Sequence, residues 1–134
     1  MAVGERVGAE IYEGALAFRI VERGAERARA EMPVTAAMLN PFGTVHAGAL
    51  IWFADVTATV CAVGDPESVG ADGKGFPLAV DLHTVLLANE RDGVLEAEAV
   101  PVRRGGRVIV MRTVVRGAGG RVLIEMTTTH LRAG

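Results

Sequence analysis

One long apolar segment, from Val45 to Val63, constrains the fold of this 134-residue chain more than any other feature. It carries apolar residues on every side at helical spacing, and Gly64-Asp65-Pro66 follows it at once. A helix that is apolar all round must be buried, and glycine and proline are typical of helix ends. A strand of this length would be exceptional. The segment therefore predicts a buried central helix.

One acidic residue, Asp55, lies in the middle of this segment. At the centre of a bilayer it would cost about 2.5–3.5 kcal/mol, and residues Ala47 to Val63 are slightly short for a spanning helix. We therefore expect a soluble protein with no membrane partner. The amino terminus lacks the apolar core of a signal peptide, and the single cysteine, Cys61, fits a reducing compartment, so we expect a cytoplasmic location.

Short alternating segments surround the predicted helix. Two precede it, at residues 16–22 and 27–32, and four follow it, at residues 78–87, 94–103, 107–116 and 122–131. Their β-branched, alternating pattern is typical of strands, and the glycine-rich breaks predict antiparallel hairpins. A short helical turn is expected at 35–39 and an exposed loop at 64–77. This order predicts an α+β fold in which a curved antiparallel sheet wraps around one helix.

A single curved sheet cannot cover such a helix on every side. We therefore expect the remaining apolar surface to be buried against a second copy of the chain. The length suits a single domain, residues 1–134. A net charge of -2, with half of the residues apolar, argues against disorder and against a nucleic-acid partner.

Asp55 also carries the strongest functional signal. An ionised carboxylate inside an apolar helix costs several kcal/mol unless it is paired or used in chemistry. The sequence therefore predicts that Asp55 is catalytic. The alternative is a buried acid that only makes hydrogen bonds at an interface.

The predicted start of the helix is the second functional signal. The first N–H groups of a helix have no partner within the helix, and this end carries about half a positive charge. The amides of Ala47 and Gly48 could therefore stabilise an oxyanion. The alternative is that Gly43 and Gly48 only shape a tight loop.

The distance between these two features predicts a shared site. Asp55 lies nine residues after His46, which is about 13.5 Å along a helix axis and half a turn around it. One chain cannot bring both ends to one carbonyl group. If they act together, they come from two neighbouring chains.

The motif Asn40-Pro41-Phe42-Gly43-Thr44-Val45-His46-Ala47-Gly48, followed by Asp55, resembles the hotdog-fold acyl-CoA thioesterases of the phenylacetate-pathway (PaaI-like) group. The pattern of that group is Asn or Gln, then Gly, then His-Gly-Gly, then an acid on the helix. This chain differs by having Ala47 in place of the first glycine of His-Gly-Gly. The resemblance covers residues 14–131. It implies a hotdog fold, hydrolysis of an acyl-CoA thioester, and active sites shared across the two-fold axis of a homodimer, which can pair into a dimer of dimers.

Three further residues are candidates for this site. In the related thioesterases a threonine at the offset of Thr59 positions the attacking water, but back-bonding of its hydroxyl to the helix is the alternative. Asn40 would anchor the water or the acyl group, although Asn before Pro is also an ordinary turn residue. We expect His46, like Gly48, to adjoin the substrate, and we favour a structural role for His46 because no triad surrounds it.

A basic cluster completes the candidate site. Arg103, Arg104 and Arg107 bracket Gly105-Gly106 at a predicted hairpin tip, where they could bind the phosphates of CoA. A solvated turn is the alternative. Many relatives have an aromatic-Leu-Arg-Pro run where this chain reads Leu86-Leu87-Ala88-Asn89, so no phosphate contact is expected there.

Other chemistries find little support in the sequence. The only serine, Ser68, lacks the Gly-x-Ser-x-Gly elbow of serine hydrolases. His46, His83 and His130 lie far apart without ligand spacing, so we expect no metal and no cofactor; His83 and His130 are interpreted as strand residues. The alternatives to an enzyme of this type are a hotdog module that binds acyl-CoA without hydrolysis and a hotdog hydratase or dehydratase.

Overall fold

The computed structural model describes residues 10–134 of the chain. It contains one α-helix and six strands in the order β1 Arg19–Glu22, β2 Ala28–Pro33, α1 Ala47–Val63, β3 Pro77–Leu86, β4 Val94–Arg104, β5 Val108–Arg116 and β6 Val122–Arg132. Two short 3-10 turns lie at Ala36–Met38 and Pro66–Ser68. The α+β class with one central helix is therefore confirmed.

The strands form one antiparallel sheet in the order β1-β2-β4-β5-β6-β3. The expected hairpins β1–β2, β4–β5 and β5–β6 are present. Strand β3 follows the helix in sequence, yet it lies at the far edge of the sheet beside β6. The sheet curves around α1, and the helix contacts strands β2 to β6.

Two predicted boundaries are shifted. Strand β1 begins at Arg19, later than residue 16, because the register that places Arg19 opposite Glu31 would next bring Ala17 opposite Pro33. Proline has no N–H to donate, so pairing ends there. The helix begins at Ala47, later than residue 45, because Val45 forms a bridge with Leu39 and His46 is the N-cap.

The core lies between the helix and the sheet. Large side chains of both layers are fully buried there, among them Phe53, Leu50, Leu95, Met111 and Met126. Burying a side chain of this size stabilises the fold by about 1.5–3 kcal/mol. Alanines at positions 54, 58, 97 and 99 are also buried, and their small size lets the helix approach the sheet closely. Within residues 10–134, no helix has both the length and the hydrophobicity needed to cross a lipid bilayer.

One side of this assembly is left uncovered. Trp52 is 36% exposed, and Val56 and Thr59 on the same side of the helix are only partly buried. At the sheet edge, Leu82 pairs with the buried Thr128 and Leu86 with the buried Ile124, so both leucines face the helix side. They are nevertheless 41% and 53% exposed, so they form part of the uncovered surface.

The side chain of Arg104 holds the C-terminal end of α1. The guanidinium of Arg104 donates hydrogen bonds to the carbonyl oxygens of Ala25 at 2.7 Å, Cys61 at 2.9 Å and Ala62 at 3.0 Å. The last carbonyls of a helix have no partner within the helix, so a cation placed there satisfies them. Arg104 thereby ties the β4–β5 hairpin to the end of the helix.

Replacing this side chain tests its structural role. The substitution Arg104→Ala leaves two helix carbonyls without their donor and should lower the free energy of unfolding by about 1–3 kcal/mol. The matched substitution Arg103→Ala removes an exposed neighbour and should stay within about 0.5 kcal/mol of the parent. Urea unfolding of both variants gives the comparison, and equal effects would show that Arg104 does not support the helix.

Candidate active site

The loop before the helix is organised by Asn40. Its side-chain oxygen accepts hydrogen bonds from the N–H groups of Phe42 at 2.9 Å and Thr44 at 3.1 Å, and its amide nitrogen donates to the Thr44 hydroxyl at 2.7 Å. Gly43 within this turn has a φ of 80°, a conformation that favours glycine. The geometry matches the turn interpretation of Asn40, since the loop itself engages both ends of its amide group.

His46 caps the helix that follows. Its Nδ1 accepts a hydrogen bond from the Gly48 N–H at 3.1 Å, and its carbonyl accepts from the N–H groups of Ala49 and Leu50. In the neutral imidazole, Nε2 must then carry the proton. Of the amides at this end, only the Ala47 N–H has no acceptor among residues 10–134. The amide of Gly48, predicted as a second donor to substrate, is occupied by the cap.

Asp55 lies two turns further along α1, at the border between its buried and uncovered sides. Its carboxylate oxygen Oδ1 is buried, and no residue of the described chain hydrogen-bonds to it. Burial raises the pKa of the Asp55 carboxyl above its usual range, and the charge of nearby His130 opposes this shift. A carboxylate with a raised pKa that lacks a partner can accept a proton from water.

His130 is the residue near Asp55 that the sequence did not connect to the site. It is fully buried on β6, where its Nδ1 donates to the Pro77 carbonyl at 3.2 Å and its Nε2 lies 2.8 Å from the Thr128 hydroxyl. The Pro77 contact fixes the neutral tautomer, so the Thr128 hydroxyl donates to Nε2. Burial lowers the pKa of His130, while the Pro77 hydrogen bond and Asp55 act in the other direction.

Thr59 does not contact the Asp55 carboxylate. Its hydroxyl donates to the backbone carbonyl of Asp55 at 3.0 Å, and Thr57 makes the same contact with the carbonyl of Phe53 at 2.7 Å. This is the back-bonding alternative for Thr59. A water held by Thr59 stays a prediction.

The basic cluster is divided by the structure. Arg103 and Arg107, with Gly105, Gly106 and Val108, line a shallow cavity of about 410 Å³ at the hairpin tip. Arg104 points away from it, towards the helix carbonyls described above. The guanidinium of Arg104 is therefore engaged by backbone carbonyls, and phosphate binding at this hairpin stays a prediction.

A larger cleft opens at the N-terminal end of the helix. Its volume is about 960 Å³, and its walls include Tyr12, Leu16, Met38, His46 and Gly48. Residues 11–16 form one side of it, and the N–H of Ala15 anchors this segment to the carbonyl of Ala37 at 3.2 Å. The two neighbours of Ala47, His46 and Gly48, therefore line a space large enough for a small organic group.

The candidate residues fall into separate groups within one chain. Asn40, His46 and Ala47 lie at the N-terminal end of α1, whereas Arg103 and Arg107 lie near its C-terminal end. Asp55 is eight residues after Ala47, about 12 Å along the axis. Across residues 10–134, no three His, Cys, Asp or Glu side chains are grouped so that they could hold a metal ion.

Comparison with known proteins shows the family. The chain is 32% identical over 96 residues to the Bacillus subtilis (strain 168) protein named "putative esterase ComA2", an alignment that covers 72% of this chain and 73% of that protein. This chain belongs to the ComA2 family. No family model matches its sequence.

Solved structures show the fold. A thioesterase variant from Staphylococcus aureus superposes with a TM-score of 0.79 at 20% identity, covering 87% of this chain and 93% of that one. A thioesterase from Haemophilus influenzae gives 0.76 at 21% identity, covering 87% and 78%. A hypothetical thioesterase protein from Streptococcus pneumoniae, solved with coenzyme A, gives 0.76 at 18% identity, covering 88% and 87%. Together these comparisons confirm the hotdog-fold resemblance of the sequence.

The environment of Asp55 makes a prediction about stability. Because the raised pKa of Asp55 means that folding favours the protonated carboxyl, the ionised form destabilises the native state. At a pH below the usual pKa of an aspartate, ionisation of Asp55 should cause little difference in stability between Asp55→Asn and the parent. As the pH rises through the raised pKa, the parent should lose stability relative to the variant.

Chemical unfolding at a fixed protein concentration between about pH 4 and pH 8 measures this difference. Asp92→Asn, which removes an exposed carboxylate, is the control and should show no comparable gain. A variant that is less stable than the parent at every pH would instead show that the Asp55 carboxylate stabilises the fold.

Proposed function

We propose that this chain is an acyl-CoA thioesterase, which hydrolyses a thioester to a free acid and CoA. The observation that carries the proposal is the Asp55 carboxylate. It is unpaired within the described chain, its pKa is raised by burial, and it lies beside the uncovered side of the helix. The family relationship supports hydrolysis, because the B. subtilis relative is named an esterase.

The active form is a homodimer. The uncovered side of α1 and the edge strand β3 expose Trp52, Leu82 and Leu86, which a second copy would cover. A two-fold arrangement would place the helix N-terminus of one protomer opposite Asp55 of the other, as the separation of about 12 Å within one chain requires. Two such dimers can associate further. The buried free thiol of Cys61 supports a cytoplasmic location.

The chemistry follows from two groups. The Ala47 amide of the facing protomer donates to the thioester carbonyl oxygen and stabilises the oxyanion that forms there. Asp55 takes a proton from water as the water oxygen attacks the carbonyl carbon. The carbon–sulfur bond then breaks, and the CoA thiolate leaves and is protonated. The alternative is attack by the Asp55 carboxylate itself, which gives an anhydride that water then hydrolyses.

The remaining candidates bind the substrate. The acyl group lies near His46 and Gly48 in the cleft at the helix N-terminus, with Asn40 holding the loop and Thr59 adjacent to the water. The phosphates of CoA contact Arg103 and Arg107 at the hairpin tip. The structural neighbour from S. pneumoniae that was solved with coenzyme A supports CoA as the carrier.

Thiol release over short, medium, long and aromatic acyl-CoAs tests the activity. The parent should release CoA from at least one of them, and Asp55→Asn should lower turnover by about 10²-fold or more while the oligomer stays intact. The rate should rise with pH through the raised pKa of Asp55, because only the ionised carboxylate accepts the proton. Near-normal turnover of the variant would remove Asp55 from the mechanism.

Two further readings complete this experiment. A parent that binds CoA without releasing thiol would indicate a binding module instead of an enzyme. Single-turnover hydrolysis in isotopically labelled water distinguishes the two mechanisms. Label in the Asp55 carboxylate would indicate nucleophilic attack, and label only in the acid product would indicate a general base.

The shared site predicts that oligomerisation and activity are lost together. Leu82→Arg places a charge on the uncovered apolar edge and should shift the protein to monomers with little remaining thiol release. Val102→Arg is the control, because Val102 is 62% exposed and lies on β4, away from the edge strand β3. Light scattering and the thiol assay measure both properties. A fully active Leu82→Arg monomer would contradict the shared site.

A further inference from the structure

The connection between β3 and β4 holds the loop that precedes the helix. It contains Asn89, the last residue of the segment Leu86-Leu87-Ala88-Asn89, where many relatives have an aromatic-Leu-Arg-Pro run. We propose that Asn89 is a positioning residue that fixes the direction of the Ala47 amide and thereby sets the oxyanion site. This inference rests on the proposed thioesterase function.

The peptide between Val45 and His46 is held by two hydrogen bonds. Its carbonyl oxygen accepts a hydrogen bond from Asn89 Nδ2 at 2.7 Å, and its N–H donates to the Met38 carbonyl at 2.9 Å. Both polar atoms of one planar peptide unit are therefore held, from opposite sides. The fully buried Val45 is held once more by its own N–H, which donates to the Glu90 carbonyl at 3.0 Å.

The Ala47 amide belongs to the next peptide along the chain. The carbonyl of the peptide between His46 and Ala47 accepts from the N–H groups of Ala49 and Leu50, at 2.9 Å and 3.2 Å. In a trans peptide the N–H points opposite to the carbonyl, so the Ala47 N–H points away from the helix. Only the two backbone torsions of His46 separate this peptide from the one that Asn89 holds. A shift of Val45 therefore rotates the Ala47 amide.

Asn89 is itself held in place. Its side-chain oxygen accepts from the Glu90 N–H at 2.8 Å, while Arg121 donates to the Asn89 carbonyl and lies 3.2 Å from the Glu90 carboxylate. A side chain on Gly117 would overlap that carboxylate, so the β5–β6 turn also sets its position. These contacts support the loop that precedes α1, and the residues that make them do not line the cleft at the helix N-terminus.

Asn89→Asp is the most direct test, because the two side chains have the same shape. The change replaces the donor at Val45 with an oxygen that the carbonyl repels. We expect kcat to fall by about 10- to 100-fold, because a small displacement of an oxyanion donor weakens transition-state stabilisation. The KM for acyl-CoA and the pH at which activity rises should stay close to those of the parent, because neither Asp55 nor the arginine pair is touched.

Matched variants control for folding and charge. Asp92→Asn alters an exposed carboxylate in the same connection and should leave kcat unchanged. Gly117→Ala lies outside the proposed site and displaces the Glu90 carboxylate, which lies next to Arg121. Because Arg121 also donates to the Asn89 carbonyl, this variant should lower kcat in the same selective way. Gly119→Ala in the same turn has no atom within 4 Å of its new methyl group and should behave like the parent. The glycine pair keeps the proposal testable if Asn89→Asp does not fold.

The outcomes separate this inference from the proposed function. Thiol release by the parent with a normal kcat in folded Asn89→Asp and Gly117→Ala would overturn the positioning role. Equal losses in kcat and in affinity for CoA would overturn it as well. If the parent releases no thiol, the proposed function fails, and a crystal structure of Asn89→Asp decides the inference. A rotated His46–Ala47 peptide would support it, and an unchanged peptide would overturn it.

Discussion

The candidate site depends on the position of the Asp55 carboxylate, at the border between the covered and uncovered sides of α1. A single sheet covers only one side of α1, with Cys61 near the centre of the buried side and Trp52 on the open side. A carboxylate at the centre would lose its hydration with no compensation, and one on the open side would behave as in water. Asp55 lies between them. Its carboxyl group is therefore desolvated enough to hold a proton more tightly, although Asp55 adjoins the uncovered side of the helix.

Local patterns predicted most of the fold. Alternation and glycine breaks identify hairpins because their strands are neighbours in sequence, and one long apolar run identifies the helix. The edge position of β3 could not be derived in this way, since its partner β6 follows it only after β4 and β5. The predicted start of β1 at residue 16 was wrong, because the pairing at this end of the strand depends on Pro33 in β2.

The same limit applies to the candidate site: residues that are close in sequence were found, and residues that only the fold brings together were missed. The motif and its family resemblance related Asn40, His46 and Asp55, because all three lie in one loop and its helix. His130 and Asn89 were missed as partners, since only the strand register and a chain reversal bring them to Asp55 and Val45. Side-chain length sets the contacts of two further candidates. The short Thr59 side chain bonds to the carbonyl one turn back, and the long Arg104 side chain extends to the helix end.

The two groups proposed to act on the thioester are held by different contacts, and this separation bears on which substitutions the proposed site tolerates. Ala47 takes its direction from the loop that Asn89 and Met38 hold, whereas Asp55 depends on the packing of α1 against β6. Alanine in place of the first glycine of His-Gly-Gly keeps the N–H and adds one methyl group beside it. In the proposed mechanism this methyl group narrows the approach of a thioester, so the amide must point along one direction to reach the oxyanion. A site built with Ala47 therefore needs a firmer loop than a site built with glycine.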